Sequence, residues 1–222
     1  MLLRWKIAQW FELQWWKRYL SGKSKEEYIA WKTNYWLQLM RTLELERTIE
    51  EANTIIDFGC GPFGLPLANQ QWKKELTAVD PLLDEYATTI PFFNKQDYSG
   101  THFITLSMED FSSLEKFNLV FCMNAINHVH SMDKAFDVVV GSAQQNSKIV
   151  VSIDAHNFSF FKFLFRLIPG RMCSGTPRSN WAPSSIMQIS CLPTSMKSDR
   201  CARHSASRRR CSLQKWIPQY SR

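Results

Sequence analysis

No stretch of this chain approaches the roughly 20 consecutive apolar residues that a membrane-spanning helix needs. The N-terminus, MLLRWKIAQWFELQWW, has neither a clean apolar core nor a small-residue cleavage site, so it does not read as a secretory signal. A cytoplasmic protein is the resulting expectation, and disulfides are disfavoured there. No C-x-x-C pair occurs, and Cys173, Cys191, Cys201 and Cys211 are spaced by 18, 10 and 10 residues, which argues against a zinc site. Acids are nearly missing from residues 171–222, where Asp199 stands against ten Lys/Arg. The first 170 residues hold 17 bases and 19 acids, so the net charge of +7 belongs to the tail alone. Phenylalanine is also missing after residue 165, although the chain has fifteen. Composition changes near Gly170.

What is present is globular. Apolar residues make up 45% and aromatics 14% of 222 residues, which excludes a disordered composition and suffices for one α/β domain with an appendage. Seven of nine tryptophans precede residue 73. Residues 4–20 read as a helix with a broad apolar face. A second helix is expected after Ser24, where S-K-E-E offers a capping box with Glu27 at its third position, and runs to about Leu45. These aromatics pack on a domain face, or form a substrate lid or an interfacial surface.

From residue 53 the texture alternates. TIIDF, LTAVD, HFITL, NLVFCMN and KIVVSID are short apolar runs, separated by segments that can be helical at 63–73, 82–88, 109–116 and 132–145. Strands alternating with helices predict an α/β fold with a doubly wound, mostly parallel sheet, and uniformly apolar strands fit burial on both faces. The expected organisation is a helical cap over 1–48, a Rossmann-like domain over 49–170, and a basic Ser/Arg/Cys-rich tail over 171–222. No internal repeat is visible.

IIDFGCGPFGLPLA, at 55–68, places three glycines within six positions directly after the first strand. Gly59 and Gly61 permit positive φ and close backbone approach to a ligand, although a ligand-free tight turn explains them equally well. The second strand favours a ligand. It ends in Asp80, and an acid there, roughly 20 residues beyond the glycines, accepts hydrogen bonds from ribose hydroxyls. The third strand leads into S-M-E-D, where Met108 can cover a purine and Asp110 can accept from an exocyclic amine.

D-F-G-C-G-P at 57–62, V-D at 79–80, M-E-D at 108–110 and F-N-L-V-F-C-M-N-A-I-N-H-V at 117–129 resemble the class I S-adenosylmethionine (SAM)-dependent methyltransferases, over about residues 50–155. The G-x-G-x-x-G of dinucleotide-binding dehydrogenases also fits Gly59, Gly61 and Gly64; Asp57 and N-A-I-N-H-V favour the methyltransferase. The resemblance implies that SAM is the cofactor. Gly59 and Gly61 would lie against its methionine moiety, and Asp57 would hold its ammonium group directly or through water. Asp80 would bind the ribose, Met108, Glu109 and Asp110 would surround the adenine, and Asn124 would sit beside the reactive end. Two positions depart from the family pattern. Phe63 stands where a third glycine is common and would narrow the pocket, and Asn118 replaces a common aspartate.

Methyl transfer needs alignment of nucleophile and methyl group, a base only where the acceptor must lose its proton early, and no metal. N-A-I-N-H-V-H at 124–130 follows the fourth strand, and Asn127 and His128 are the catalytic candidates there, with His128 as general base. The alternative is that His128 caps or orients the next helix. Asp154, His156 and Asn157 also fall where an acceptor would lie. FSFFKFLFRLI, at 158–168, reads as a packing helix or a weak membrane-surface element.

The tail lacks the helix and antiparallel strand pair with which the family closes its sheet. Eleven serines, four cysteines and one acid there point to out-of-frame translation, since codons for R-M-C-S can spell D-V-L one register over. The tail is thus expected to be disordered or out of frame, unless it is a basic RNA-binding arm. The expected function is methyl transfer to a small-molecule acceptor, with nucleic acid disfavoured as a partner. A SAM-binding inactive chain and an RNA methyltransferase are the alternatives.

Overall fold

The structure is a computed structural model that describes residues 2–153, 185–191 and 211–218. Asp154, His156, Asn157, the 158–168 segment, Cys173 and Cys201 lie outside the described residues.

Five strands form a parallel sheet: β1 (Thr54–Phe58), β2 (Glu75–Val79), β3 (Thr101–Ile104), β4 (Phe117–Met123) and β5 (Ala143–Ile153). Their order is β3-β2-β1-β4-β5, so the winding reverses between β1 and β4. Ligands of open α/β sheets bind outside the carboxyl ends of strands at such a reversal. Helices α1 (Leu2–Leu20), α2 (Lys25–Thr42) and α3 (Glu46–Glu51) precede the sheet; α4 (Pro66–Trp72), α5 (Leu83–Thr89) and α6 (Met132–Ser142) lie within it in sequence.

Side chains alternate along each strand, and both faces are covered. Ile55, Leu76, Ala78, Leu119 and Phe121 pack in one core with Trp36, Leu39 and Met40 of α2 and Leu83 and Tyr86 of α5. Ile56, Phe58, Val79, Val120 and Cys122 pack in another with Ala135 and Val139 of α6. Two-sided burial explains why the strands read as continuous apolar runs.

Ser24 caps α2 by accepting from the Glu27 amide at 3.4 Å, while its own hydroxyl donates to Glu26. The helix expected over 109–116 does not form. A single 3₁₀ turn at Met108–Asp110 is followed by loop. Phe111 there is buried against Phe58, with ring centroids 5.2 Å apart, but Leu114 is 101% exposed, so the segment has no apolar stripe to hold a helix down.

Asn118 is a tie at the amino ends of the strands, remote from the reversal. Its Oδ1 accepts from the amides of Asn53 and Thr54 at 3.0 and 3.1 Å, and its Nδ2 donates to Gln144 at 2.7 Å. An aspartate supplies only the acceptor half of this arrangement.

The tail was expected to lack a strand pair. Instead, β6 (Ser185–Cys191) runs antiparallel to β5, and β7 (Cys211–Pro218) runs antiparallel to β6, extending the sheet to seven strands. The two segments SIMQISC and CSLQKWIP are short and polar-flanked, and their pairing to a strand far back in the chain leaves no local signal.

Candidate functional site

A cavity of about 250 Å³ opens at the carboxyl ends of β1, β2 and β4, where the winding reverses. Its floor is the turn after β1. Gly59 has φ +68 and donates its N–H to Val79 O at 2.7 Å, which fastens the turn to β2. A Cβ on Gly59 would lie 2.1 Å from the Ala125 Cβ. Gly61 has φ +57, and a Cβ there would meet nothing within 4 Å, so its backbone faces open space in the cavity wall. Gly64 serves the turn itself, since a Cβ would lie 2.2 Å from the Cys60 carbonyl oxygen.

Asp80 follows β2 and is 6% exposed. Its Oδ2 accepts from the Gly61 N–H at 3.0 Å and its Oδ1 from the Leu82 N–H at 2.9 Å. Burial pushes its carboxyl up to about 7; the Leu82 amide opposes the shift, and the charge of Glu12 adds to it. Asp57 lies beneath the turn rather than on the cavity wall. Its Oδ2 accepts from the Leu65 N–H at 3.3 Å, and its Oδ1 has no hydrogen-bond partner among the described residues. Burial pushes it up to about 8.

The other sequence-derived candidates separate into two groups. Met108, Glu109, Asn124 and His128 line the cavity; Asp110 and Asn127 do not. Glu109 Oε1 accepts from the amides of His130 and Ser131 and so holds the 124–131 loop against the 3₁₀ turn. Asp110 is exposed, accepts from the Ser107 hydroxyl at 2.7 Å and pairs with Lys134 at 3.1 Å. Asn124 sits at φ +55 after β4, and its side-chain oxygen accepts from the Ser152 hydroxyl at 2.8 Å. The His128 N–H donates to Ala125 O at 2.9 Å. His128 does not cap α6; Ser131 does, accepting from the Lys134 amide.

The roof was only partly legible. Gln9, Glu12 and Trp16 of α1 and Lys32, Tyr35 and Trp36 of α2 face the same cavity, so the N-terminal helices wall the site as well as pack on the domain. Phe63 anchors them. It is 2% exposed, with its ring 5.7 Å from Trp16 and 5.1 Å from Tyr28, and its carbonyl accepts from the Trp36 indole N–H at 2.9 Å. Tyr86 of α5 donates its hydroxyl to Glu12 at 2.7 Å and closes α1 down on the sheet. A repeated i, i+3, i+4 spacing of Lys32, Tyr35 and Trp36 was the available signal.

Cys60 and Cys122 are buried free thiols whose pKa values burial pushes up, which makes them poor nucleophiles. Among the described residues, no three His, Cys, Asp or Glu side chains converge to hold a metal ion, and no helix is long and apolar enough to cross a membrane.

No protein-family model and no characterised protein sequence matches the chain. Similar solved structures include the N-methyltransferase NodS from Bradyrhizobium japonicum WM9, with 13% identity and TM-score 0.46 over 70% of this chain and 97% of that one. YcgJ from Bacillus subtilis matches at 18% identity and TM-score 0.44 over 57% of each chain. The glycopeptide N-methyltransferase MtfA, complexed with SAM, matches at 14% identity and TM-score 0.40 over 47% of this chain. This chain spans about half of MtfA's length, 49%.

Proposed function

We propose that the chain binds SAM in this cavity and transfers its methyl group to a small-molecule acceptor. One observation carries the reading: the open backbone of Gly61 is joined to the buried carboxylate of Asp80 at the point where the sheet reverses. A tight turn alone needs neither an unfilled face nor an acid held at the mouth of a cavity.

When bound, SAM supplies a methyl group already activated by the positive charge of its sulfonium. The chain's own residues provide position. The turn at Gly59 and Gly61 lets the ligand approach the backbone closely. Each Asp80 oxygen accepts from one amide and keeps acceptor capacity for a ribose hydroxyl. Met108 offers an apolar cover for the adenine. Asn124 and His128 line the same cavity after β4, and an unprotonated His128 ring nitrogen can take the proton of an O–H or N–H acceptor. The alignment itself supplies several kcal/mol of the barrier.

The cavity lies just below the roughly 300–1,000 Å³ usual for small-ligand sites. A cofactor of adenosyl size therefore fills it. The same closure by α1 and α2 supports a small acceptor over a polymer. The test is incubation of the full chain with methyl-labelled SAM and separate extracts of small molecules, protein and RNA. Label in the small-molecule fraction alone supports the reading; label in protein or RNA alone contradicts the acceptor class.

A further inference from the structure

Among the described residues, three carboxylates and one ammonium group line the cavity, and their partners are unequal. Glu12 accepts from Tyr86, Asp80 from the Gly61 and Leu82 amides, and Glu109 from the His130 and Ser131 amides. Lys32 makes no ion pair and no hydrogen bond to an oxygen among the described residues. Its Nζ instead lies 4.5 Å from the Tyr35 ring centroid, 4.9 Å from Trp36 and 5.8 Å from Trp31. Aromatic faces attract the charge but are no substitute for an oxygen acceptor on three N–H donors.

The position of Lys32 is fixed. Lys32, Tyr35 and Trp36 share one face of α2, and the buried Trp36–Phe63 hydrogen bond clamps that face over the glycine turn. Burial lowers the Lys32 pKa to about 8, so the group is charged at neutral pH yet poorly solvated. Every carboxylate of the wall has a hydrogen-bond donor, and this one amine has no oxygen acceptor among the described residues.

We propose that Lys32 anchors a carboxylate carried by the ligand of this cavity. With the cavity read as the SAM site, two sources share that chemistry: the amino-acid end of the cofactor and an acid group on the methyl acceptor. Both meet Lys32 in the same way, through charge-assisted hydrogen bonds in a partly desolvated wall.

Calorimetric titration of the full chain and of Lys32→Met decides the matter, because methionine keeps the apolar stem against the rings and removes the charge. The ligands are S-adenosylhomocysteine and its decarboxylated counterpart, S-adenosyl-3-thiopropylamine. If the cofactor is the source, Lys32→Met weakens S-adenosylhomocysteine by about tenfold or more and leaves the decarboxylated ligand unchanged. Lys32→Arg then restores most of the loss. If the acceptor is the source, S-adenosylhomocysteine binds both proteins equally. In its presence, 3-phenylpropionate then binds the unaltered chain more tightly than 3-phenylpropionamide, and Lys32→Met abolishes that preference. A carboxylate preference that Lys32→Met leaves intact in both arms, or no preference in either, overturns the proposal. Failure of the unaltered chain to bind either adenosyl ligand instead sinks the methyltransferase reading; the phenylpropionate pair, titrated alone, still tests Lys32. Thermal melts of the variants separate lost binding from lost folding.

Discussion

Trp36 donates its indole N–H to the carbonyl oxygen of Phe63 across 2.9 Å, inside the protein, and so joins the roof of the cavity to its floor. Packing of the Phe63 ring, rather than this bond, accounts for a bulky residue at position 63 within a glycine turn. Its ring packs against Trp16 and Tyr28 while its carbonyl receives Trp36, and a glycine provides only the second of these.

Trp36→Phe leaves a buried carbonyl without its donor and a smaller ring in the core, and is expected to cost about 2–4 kcal/mol in urea unfolding. Phe63→Ala removes the aromatic anchor and is expected to cost about 3–5 kcal/mol. Hydrogen exchange should quicken in α1 and α2 before it does in β1 or β4. Equal loss of protection across helices and sheet contradicts the anchoring role.

Gly59 and Gly61 are expected to fail differently. Gly61→Ala meets only the left-handed backbone penalty, about 1–2 kcal/mol, while placing a methyl group in the cavity. Gly59→Ala adds a collision with Ala125 and should cost about 3 kcal/mol or more. Unfolding curves should therefore rank Gly59→Ala as the less stable variant. Titration with S-adenosylhomocysteine should show weakened binding for Gly61→Ala even though that variant folds.

Asp57 gives a pH prediction of definite sign. Folded, it holds its proton up to about pH 8; unfolded, it releases it near the ordinary value of 3.8. Between those values the folded state binds more protons, so this group's contribution to stability is complete only below pH 3.8 and declines as pH rises to about 8. Asp57→Asn mimics the protonated form and removes that slope. Melts of both proteins from pH 5 to 8 should show the variant gaining relative stability with pH, and parallel curves contradict the assignment.

Glu109 and Asp110 are neighbours with separate duties. Glu109→Ala frees two amides of the 124–131 loop and is expected to cost about 1–3 kcal/mol. Asp110→Ala breaks an exposed pair with Lys134, expected to cost under about 1 kcal/mol, and leaves adenosyl binding within about twofold. A large binding loss in Asp110→Ala returns that carboxylate to the adenine site.

The strand run TIIDF, the glycine turn and Asp80 were legible because backbone conformation and two-sided burial write themselves into residue type. TIIDF coincides with β1 residue for residue. Less was legible wherever one side chain answers to a distant partner. Glu109 lines the cavity as the sequence led one to expect, but the use of its Oε1 by amides 21 and 22 residues further along is not legible there. Asn118 passes for a neutral replacement until its three-strand tie is seen. Lys32 shares one helix face with Tyr35 and Trp36 but carries no catalytic or binding motif, and only folding brings the glycine turn beneath that face. The short α3 and the antiparallel β6 and β7 depend on tertiary pairing rather than on local pattern.

The most direct measurement is a calorimetric titration of the purified full chain with SAM, repeated with Asp80→Ala and accompanied by circular dichroism of both. The account predicts one site of micromolar affinity that the substitution weakens by tenfold or more while the spectrum stays that of an α/β fold. A folded unaltered chain that takes up no SAM contradicts it, and leaves Gly59 and Gly61 as the elements of a tight turn.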